Sequence, residues 1–186
     1  MIALLVIDMQ VGSFGSESPR HDAEGVVARI HLLTGAVRAA GGLVVFIQHD
    51  GPAGDTFEPG SDGWRILPAL DPRASDAVVH KQACDAFYET DLAAVLERSG
   101  ARQLVVTGCA TDFCVDTTVR AALSRDYDVT VVADGHTTAD RPHVAAVALI
   151  RHHNWLWADL IHPHRRIEVL PTEGVLARLA TGARGR

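Results

Sequence analysis

Cys114 lies in VVTGCATDFCVDTTVRAA, residues 105–122, where a short apolar strand passes through a polar turn into an amphipathic stretch. Val115, Val119 and Ala122 mark one apolar face of a helix over 113–125, which places Cys114 in its first turn with Thr111 or Asp112 as the cap. Unpaired backbone N–H groups at a helix start stabilise a thiolate, and a neighbouring ammonium adds to the effect. A thiol with pKa near 8.5 is about 3% ionised at pH 7, and a depression of roughly two units, about 2.7 kcal/mol, makes most of it nucleophilic. The same turn offers N–H donors for the oxygen of an attacked carbonyl, each contributing about 3 to 4 kcal/mol as charge develops. Free cysteine more often packs as a small hydrophobe, so chemistry at Cys114 depends on its companions.

Asp8 closes the apolar run IALLVI, and Lys81 follows DAVVH. A carboxylate after six apolar residues is partly buried and needs a cationic or hydrogen-bonded partner. Taken singly, Asp8 reads equally as a turn-capping carboxylate and Lys81 as a surface lysine. Their common setting at strand ends changes the reading, because in an open α/β sheet those ends share the edge where ligands bind. His49 and Asp50, after GLVVFIQ, and His80 lie at the same kind of boundary.

Strands are predicted at Ile2 to Ile7, Leu43 to Gln48, Ala77 to His80, Gln103 to Thr107, Val129 to Ala133 and Ile167 to Leu170. Helices are predicted near 22–40, 89–99, 113–125, 142–158 and 172–180, with Gly41, Gly42 and Gly100 as stops. This alternation specifies an α/β fold, a three-layer α/β/α arrangement around a mostly parallel, Rossmann-like sheet of about six strands. The length of 186 residues fits one domain, 1–186. The polar segment 50–74 reads as an ordered loop over a site. No phosphate-loop motif occurs, and the second strand has no flanking G-x-G-x-x-G, which argues against a dinucleotide enzyme.

A net charge of -6 without a basic stripe argues against nucleic-acid binding. MIALLVIDM has no basic leader and no apolar run of membrane-spanning length, so a buried strand is expected, with no membrane contact. Three cysteines, Cys84, Cys109 and Cys114, are too few for a disulfide framework, and a cytoplasmic location follows as the expectation.

Together, LLVIDMQVGSF, VVHKQACDAFYETDL, VVTGCATDFCVDTTVRAA and YDVTVVADGHTT resemble, in order, the segments of the isochorismatase-like cysteine hydrolases, a family that includes nicotinamidases and related amidases. The resemblance implies a triad in which Cys114 attacks, Asp8 accepts the thiol proton and returns it to the leaving group, and Lys81 holds the pair and stabilises negative charge. It also implies a cis peptide at Cys109-Ala110, with the N–H groups of Ala110 and Cys114 as the oxyanion hole. The implied reaction is hydrolysis of a small-molecule amide through a thioester, with no organic cofactor. Vinyl ether hydrolysis of the isochorismatase type, which in the family does not require the cysteine, and a non-catalytic binding protein on the same fold are the alternatives.

Ten histidines raise the question of a metal. The resembled nicotinamidases build a metal site from an Asp-x-His element and further loop histidines, but here no histidine lies between His49 and His80. His162 and His164 read as loop residues and His152 and His153 as helical ones, so no metal is expected. Candidate pocket residues are Phe14, His49, Trp64, Phe87, Phe113 and His136, with Trp155 a further aromatic to consider. The apolar PHVAAVALIRHHNWLWA exceeds what one packed face needs and suggests a homo-oligomer.

Overall fold

The computed structural model describes residues 1–15 and 19–183. Its strands are β1 (Ile2–Ile7), β2 (Leu43–His49), β3 (Ala77–Lys81), β4 (Gln103–Cys109), β5 (Asp128–Thr137) and β6 (Ile167–Leu170). They form one sheet in the order β3-β2-β1-β4-β5-β6, every neighbouring pair parallel. The helices are α1 (Ala23–Ala39), α2 (Leu92–Ser99), α3 (Asp116–Leu123), α4 (Ala146–Ala158) and α5 (Thr172–Ala183).

The alternation of side chains along β1 separates the two faces. Leu4 and Val6 pack with Val26, Ile30 and Leu33 of α1 and with Val175 of α5. Ala3, Leu5 and Ile7 pack with Leu96 of α2, Val119 of α3 and Trp157 of α4. A strand buried on both faces needs an unbroken apolar run, which explains IALLVI. Each fully buried Leu, Ile or Val contributes roughly 1.5–3 kcal/mol.

Several helices begin later than their periodicity suggests, because side chains intercept the backbone first. Thr90 Oγ1 donates to Ala86 O and accepts from Leu92 N–H, delaying α2 to Leu92. Asp140 accepts the Ala146 N–H, so α4 starts there and not at 142. Residues Thr111–Val115 form a π-helical turn, and the α-helix proper starts at Asp116. β5 runs on to Thr137 after a register shift against β4, which puts His136 inside the strand and not after it.

Strand order reverses between β1 and β4, and the crevice at their carboxyl ends is the expected ligand position. Gly108, with φ of +122°, lets the two strands close here: a Cβ on it would lie 2.1 Å from Ile7 O. The 50–74 segment is pinned beside this crevice by Gln10. Its Nε2 donates to His49 O at 3.0 Å and Trp64 O at 2.8 Å, and its Oε1 accepts the His49 N–H at 2.9 Å. No described helix is long and apolar enough to cross a membrane. Val147, Trp155 and Ile161 remain exposed along and after α4.

Candidate active site

Asp8 follows β1 with φ of 49°, a left-handed conformation that Asp tolerates better than most side chains. Its backbone is held on three sides. The N–H donates to Ile47 O at 2.9 Å, while the carbonyl accepts Ser13 Oγ at 3.0 Å and Cys109 Sγ at 3.1 Å. Lys81 ends β3, two strands away, in register with His49 of β2. Its long side chain crosses beneath β2, and Nζ lies 2.8 Å from Asp8 Oδ2 and 3.3 Å from Cys114 Sγ. Residues 8, 81 and 114, scattered through the sequence, therefore meet at one sheet edge.

Lys81 is 2% exposed. Burial opposes its charge, but the Asp8 carboxylate and the Cys114 sulfur outweigh that cost and raise its pKa, keeping it an ammonium. The Cys114 thiol moves the other way from the expected thiolate. Burial, then the negative charge of Asp8, push its pKa up, with Lys81 only partly opposing them. The resting sulfur is a protonated thiol. Cys114 sits in the π-helical turn that runs directly into α3, and there burial and the Asp8 carboxylate outweigh the Lys81 charge. Asp8 Oδ1 is buried without a hydrogen-bond partner among the described residues, leaving an acceptor for a proton.

Neither Thr111 nor Asp112 caps the turn; Ala110 occupies the cap position. Thr111 Oγ1 instead bonds His136 Nδ1 at 2.9 Å, and His136 Nε2 bonds Asn154 Oδ1 at 2.9 Å. An oxygen acceptor at Asn154 assigns the ring proton to Nε2, with Nδ1 accepting from Thr111. Burial lowers the His136 pKa to about 4, so the ring is neutral near pH 7. Asp112 accepts two bonds from Arg141, at 2.8 and 3.0 Å, and one from Thr138 at 2.6 Å. Burial disfavours its charge, yet these donors hold the carboxyl below its ordinary pKa. The Arg141 guanidinium in turn sits 5.0 Å over the Phe113 ring.

The Cys109-Ala110 peptide is cis. Ala110 O accepts the N–H groups of Phe113 and Val115, at 3.0 and 3.2 Å, which winds the turn tightly around the cysteine. Among the described residues the Ala110 N–H donates to no turn, loop or side-chain acceptor.

Asp8, Ala110 and Cys114 border a cavity of about 360 Å³. His49 and Phe113 line it as expected, Phe113 at 51% exposure on its rim. The other four predicted pocket residues do not line this cavity. Phe14 packs against the apolar layer beside α1, and Phe87 is core, stacked on Tyr127 at 5.7 Å. Trp64 turns toward Asp50, donating to it at 2.7 Å, and stacks on His80 at 5.7 Å. His136 is 1% exposed and braces the π-turn from behind. Trp155 lies exposed on α4, outside the cavity. Sequence distance from a reactive residue misjudges these positions because neighbours in a turn point to opposite sides. Phe57, Arg20 and Arg141 do line the cavity and were not anticipated. Only the position of Phe57 in the loop flagged as covering a site hinted at its role.

Asp50 is occupied by Trp64 and His80, the latter at 3.1 Å. Among the described residues, no three His, Cys, Asp or Glu side chains converge on a point that could hold a metal ion. The three cysteines are all free thiols.

Residues 2–158 match the model of the isochorismatase domain. The chain is 35% identical over 140 residues to streptothricin hydrolase of Streptomyces noursei, an alignment covering 75% of this chain and 51% of that protein. The chain thus spans about half the length of that relative. A ureidoacrylate amidohydrolase of Variovorax paradoxus is 30% identical over 168 residues, covering 71% of this chain and 67% of the relative. Among solved structures, a hydrolase assigned to the isochorismatase family from Chromobacterium violaceum superposes with a TM-score of 0.84 at 31% identity, covering 96% of this chain and 93% of that one. A fold, a sheet-edge cluster and a domain match that agree over most of the sequence lead to one conclusion: the chain belongs to the isochorismatase-like cysteine hydrolase family.

Proposed function

We propose that this chain hydrolyses an amide-type C–N bond in a small molecule, with Cys114 as nucleophile and Asp8 and Lys81 as its partners. One observation carries the reading: Lys81 Nζ bonds both Asp8 Oδ2, at 2.8 Å, and Cys114 Sγ, at 3.3 Å, beside a cavity. The names of two relatives, streptothricin hydrolase and ureidoacrylate amidohydrolase, support hydrolysis as the reaction class.

The protonated resting thiol dictates the order of events. As Sγ attacks the carbonyl carbon, its proton passes to Asp8, and the π electrons of the carbonyl move onto oxygen. The N–H groups of Ala110 and Cys114 receive that oxyanion. When the tetrahedral species collapses, the C–N bond breaks and Asp8 returns the proton to the departing nitrogen, leaving a thioester on Cys114. Asp8 then deprotonates a water that attacks the thioester; the C–S bond breaks, the acid departs and the sulfur regains its proton. Lys81 stays hydrogen-bonded to Asp8 between these transfers and offsets charge on the sulfur. A cysteine at this position favours C–N cleavage over vinyl ether hydrolysis.

Cys114→Ala and Cys114→Ser proteins should fold normally and lose ammonia or amine release by at least ~10³-fold on a panel of small amides. Intact-mass measurement on Asp8→Asn protein should reveal an acyl adduct wherever thioester breakdown slows more than its formation. Unchanged turnover in both Cys114 variants would remove the nucleophile assignment. Release of pyruvate from isochorismate, without amide cleavage, would transfer the site to the ether reaction.

A further inference from the structure

We infer that the substrate carries a carboxylate and that Arg20 receives it at the cavity wall, an inference that rests on the hydrolase reading above. Among the described residues, the cavity's ionised groups cancel in pairs, with one exception. Lys81 bonds Asp8 at 2.8 Å, and Arg141 bonds Asp112 at 2.8 and 3.0 Å. Arg20 also lines the cavity, and among the described residues no carboxylate lies within 4.0 Å of it.

The guanidinium is nevertheless held in place. Its Nε donates to Ser13 O at 2.7 Å, and Ser13 Oγ donates to Asp8 O at 3.0 Å. Two hydrogen bonds therefore tie Arg20 to the residue that bears the reacting carboxylate. Nε is thereby used, while the two terminal nitrogens have no protein partner among the described residues. A planar carboxylate matches such a pair of N–H donors edge to edge, and the match is stronger than a neutral contact. The charge also reaches the cavity floor. Burial and Asp8 push the Cys109 thiol up to about 11, and Arg20 acts against them.

A cation that lines a cavity and has no carboxylate partner among the described residues is notable in a chain of net charge -6, where the surrounding field does not favour anions. The volume, about 360 Å³, lies toward the small end for ligand pockets. Phe57 and Phe113 supply apolar wall, so the carboxylate and the scissile amide belong to one short molecule. The substrate class is a short acid amide with its carboxylate a few bonds from the cleaved carbonyl.

Malonamate, succinamate and glutaramate, each paired with its methyl ester, test this by calorimetric titration into Cys114→Ala protein, in which no turnover occurs. At least one acid should bind tenfold or more tightly than its ester. Adding Arg20→Gln should bring that ratio to within twofold, Arg20→Lys should keep part of it, and Arg98→Gln on α2 should leave it intact. Thermal melting checks the fold of each variant, and Arg20→Lys decides if Arg20→Gln does not fold. Equal binding of acid and ester, no binding by any acid, or a ratio that survives loss of Arg20 would overturn the inference. Arg20-dependent binding without ammonia release by the Cys114 protein would instead sink the hydrolase reading and leave acid recognition standing.

Discussion

The two ends of the sheet hold cavities that differ in size and in chemistry. At the strand starts, Ile2, Gln103, Asp128, Glu168 and Arg178 border a space of about 560 Å³, larger than the 360 Å³ at the carboxyl ends. Yet its ion pairs are half-exposed: Arg178 with Glu168, and Arg165 with Asp128 at 2.9 Å. At the carboxyl ends an ion pair is withdrawn from water against a sulfur atom, and an acceptor, Asp8 Oδ1, is left without a partner. Volume therefore does not mark the candidate site. What marks it is an ion pair that folding has dehydrated and set against a thiol.

The contrast is most severely tested by Lys81→Met. With Asp8 left buried and unpaired, unfolding in urea should cost about 3–5 kcal/mol less than in the parent protein. Turnover should fall by roughly 10²- to 10⁴-fold. Adding Asp8→Leu to that variant should recover part of the stability and none of the turnover, whereas an undiminished unfolding free energy in the single variant would erase the distinction between the ends.

Acid titration sharpens the contrast next. His136 has a folded pKa of about 4 against an ordinary value of 6.5, so the unfolded chain binds the proton more readily. Its contribution is fully present above pH 6.5 and is lost as the pH falls through 4, a change of about 3 kcal/mol. His136→Gln protein should show a flatter decline over that window, measured by denaturant titration at successive pH values. A slope identical to that of the parent would remove His136 from the acid response. The smallest effect belongs to the strand starts: Arg178→Ala should change stability by under about 1 kcal/mol and leave turnover alone. A loss of activity there would mean the larger cavity is not inert.

The sheet was legible because it rests on a strong local signal, whereas the meeting of residues 8, 81 and 114 was legible only in the order and combination of their segments. Doubly buried parallel strands demand apolar runs such as IALLVI and LVVF, and the residues that interrupt them fall at the ligand edge. The ionisation state of Cys114 was not legible. Helical periodicity over 113–125 hid the π-turn that moves the α-helix start beyond the sulfur, and the dehydration of Asp8 against the thiol exists only after folding. Of the six pocket candidates only His49 and Phe113 line the cavity. Phe87 and Phe113 are equally aromatic and near reactive positions, but one stacks in the core on Tyr127 and the other stands under Arg141 at the rim. Arg20 follows the Asp8 turn by a dozen residues and carries no motif; only the hydrogen bond to Ser13 reveals its orientation.

The close approach at Gly108 has a mechanical outcome. Asp8 and the segment leading to the cysteine turn leave the middle strand pair at one rung, where Ile7 stands opposite Gly108. Separating those two points of departure requires prying open that pair, which in a sheet of this kind exchanges its amide protons last. Rim loops can therefore move while the roots of Asp8 and of the cysteine turn keep a spacing as durable as the native state itself.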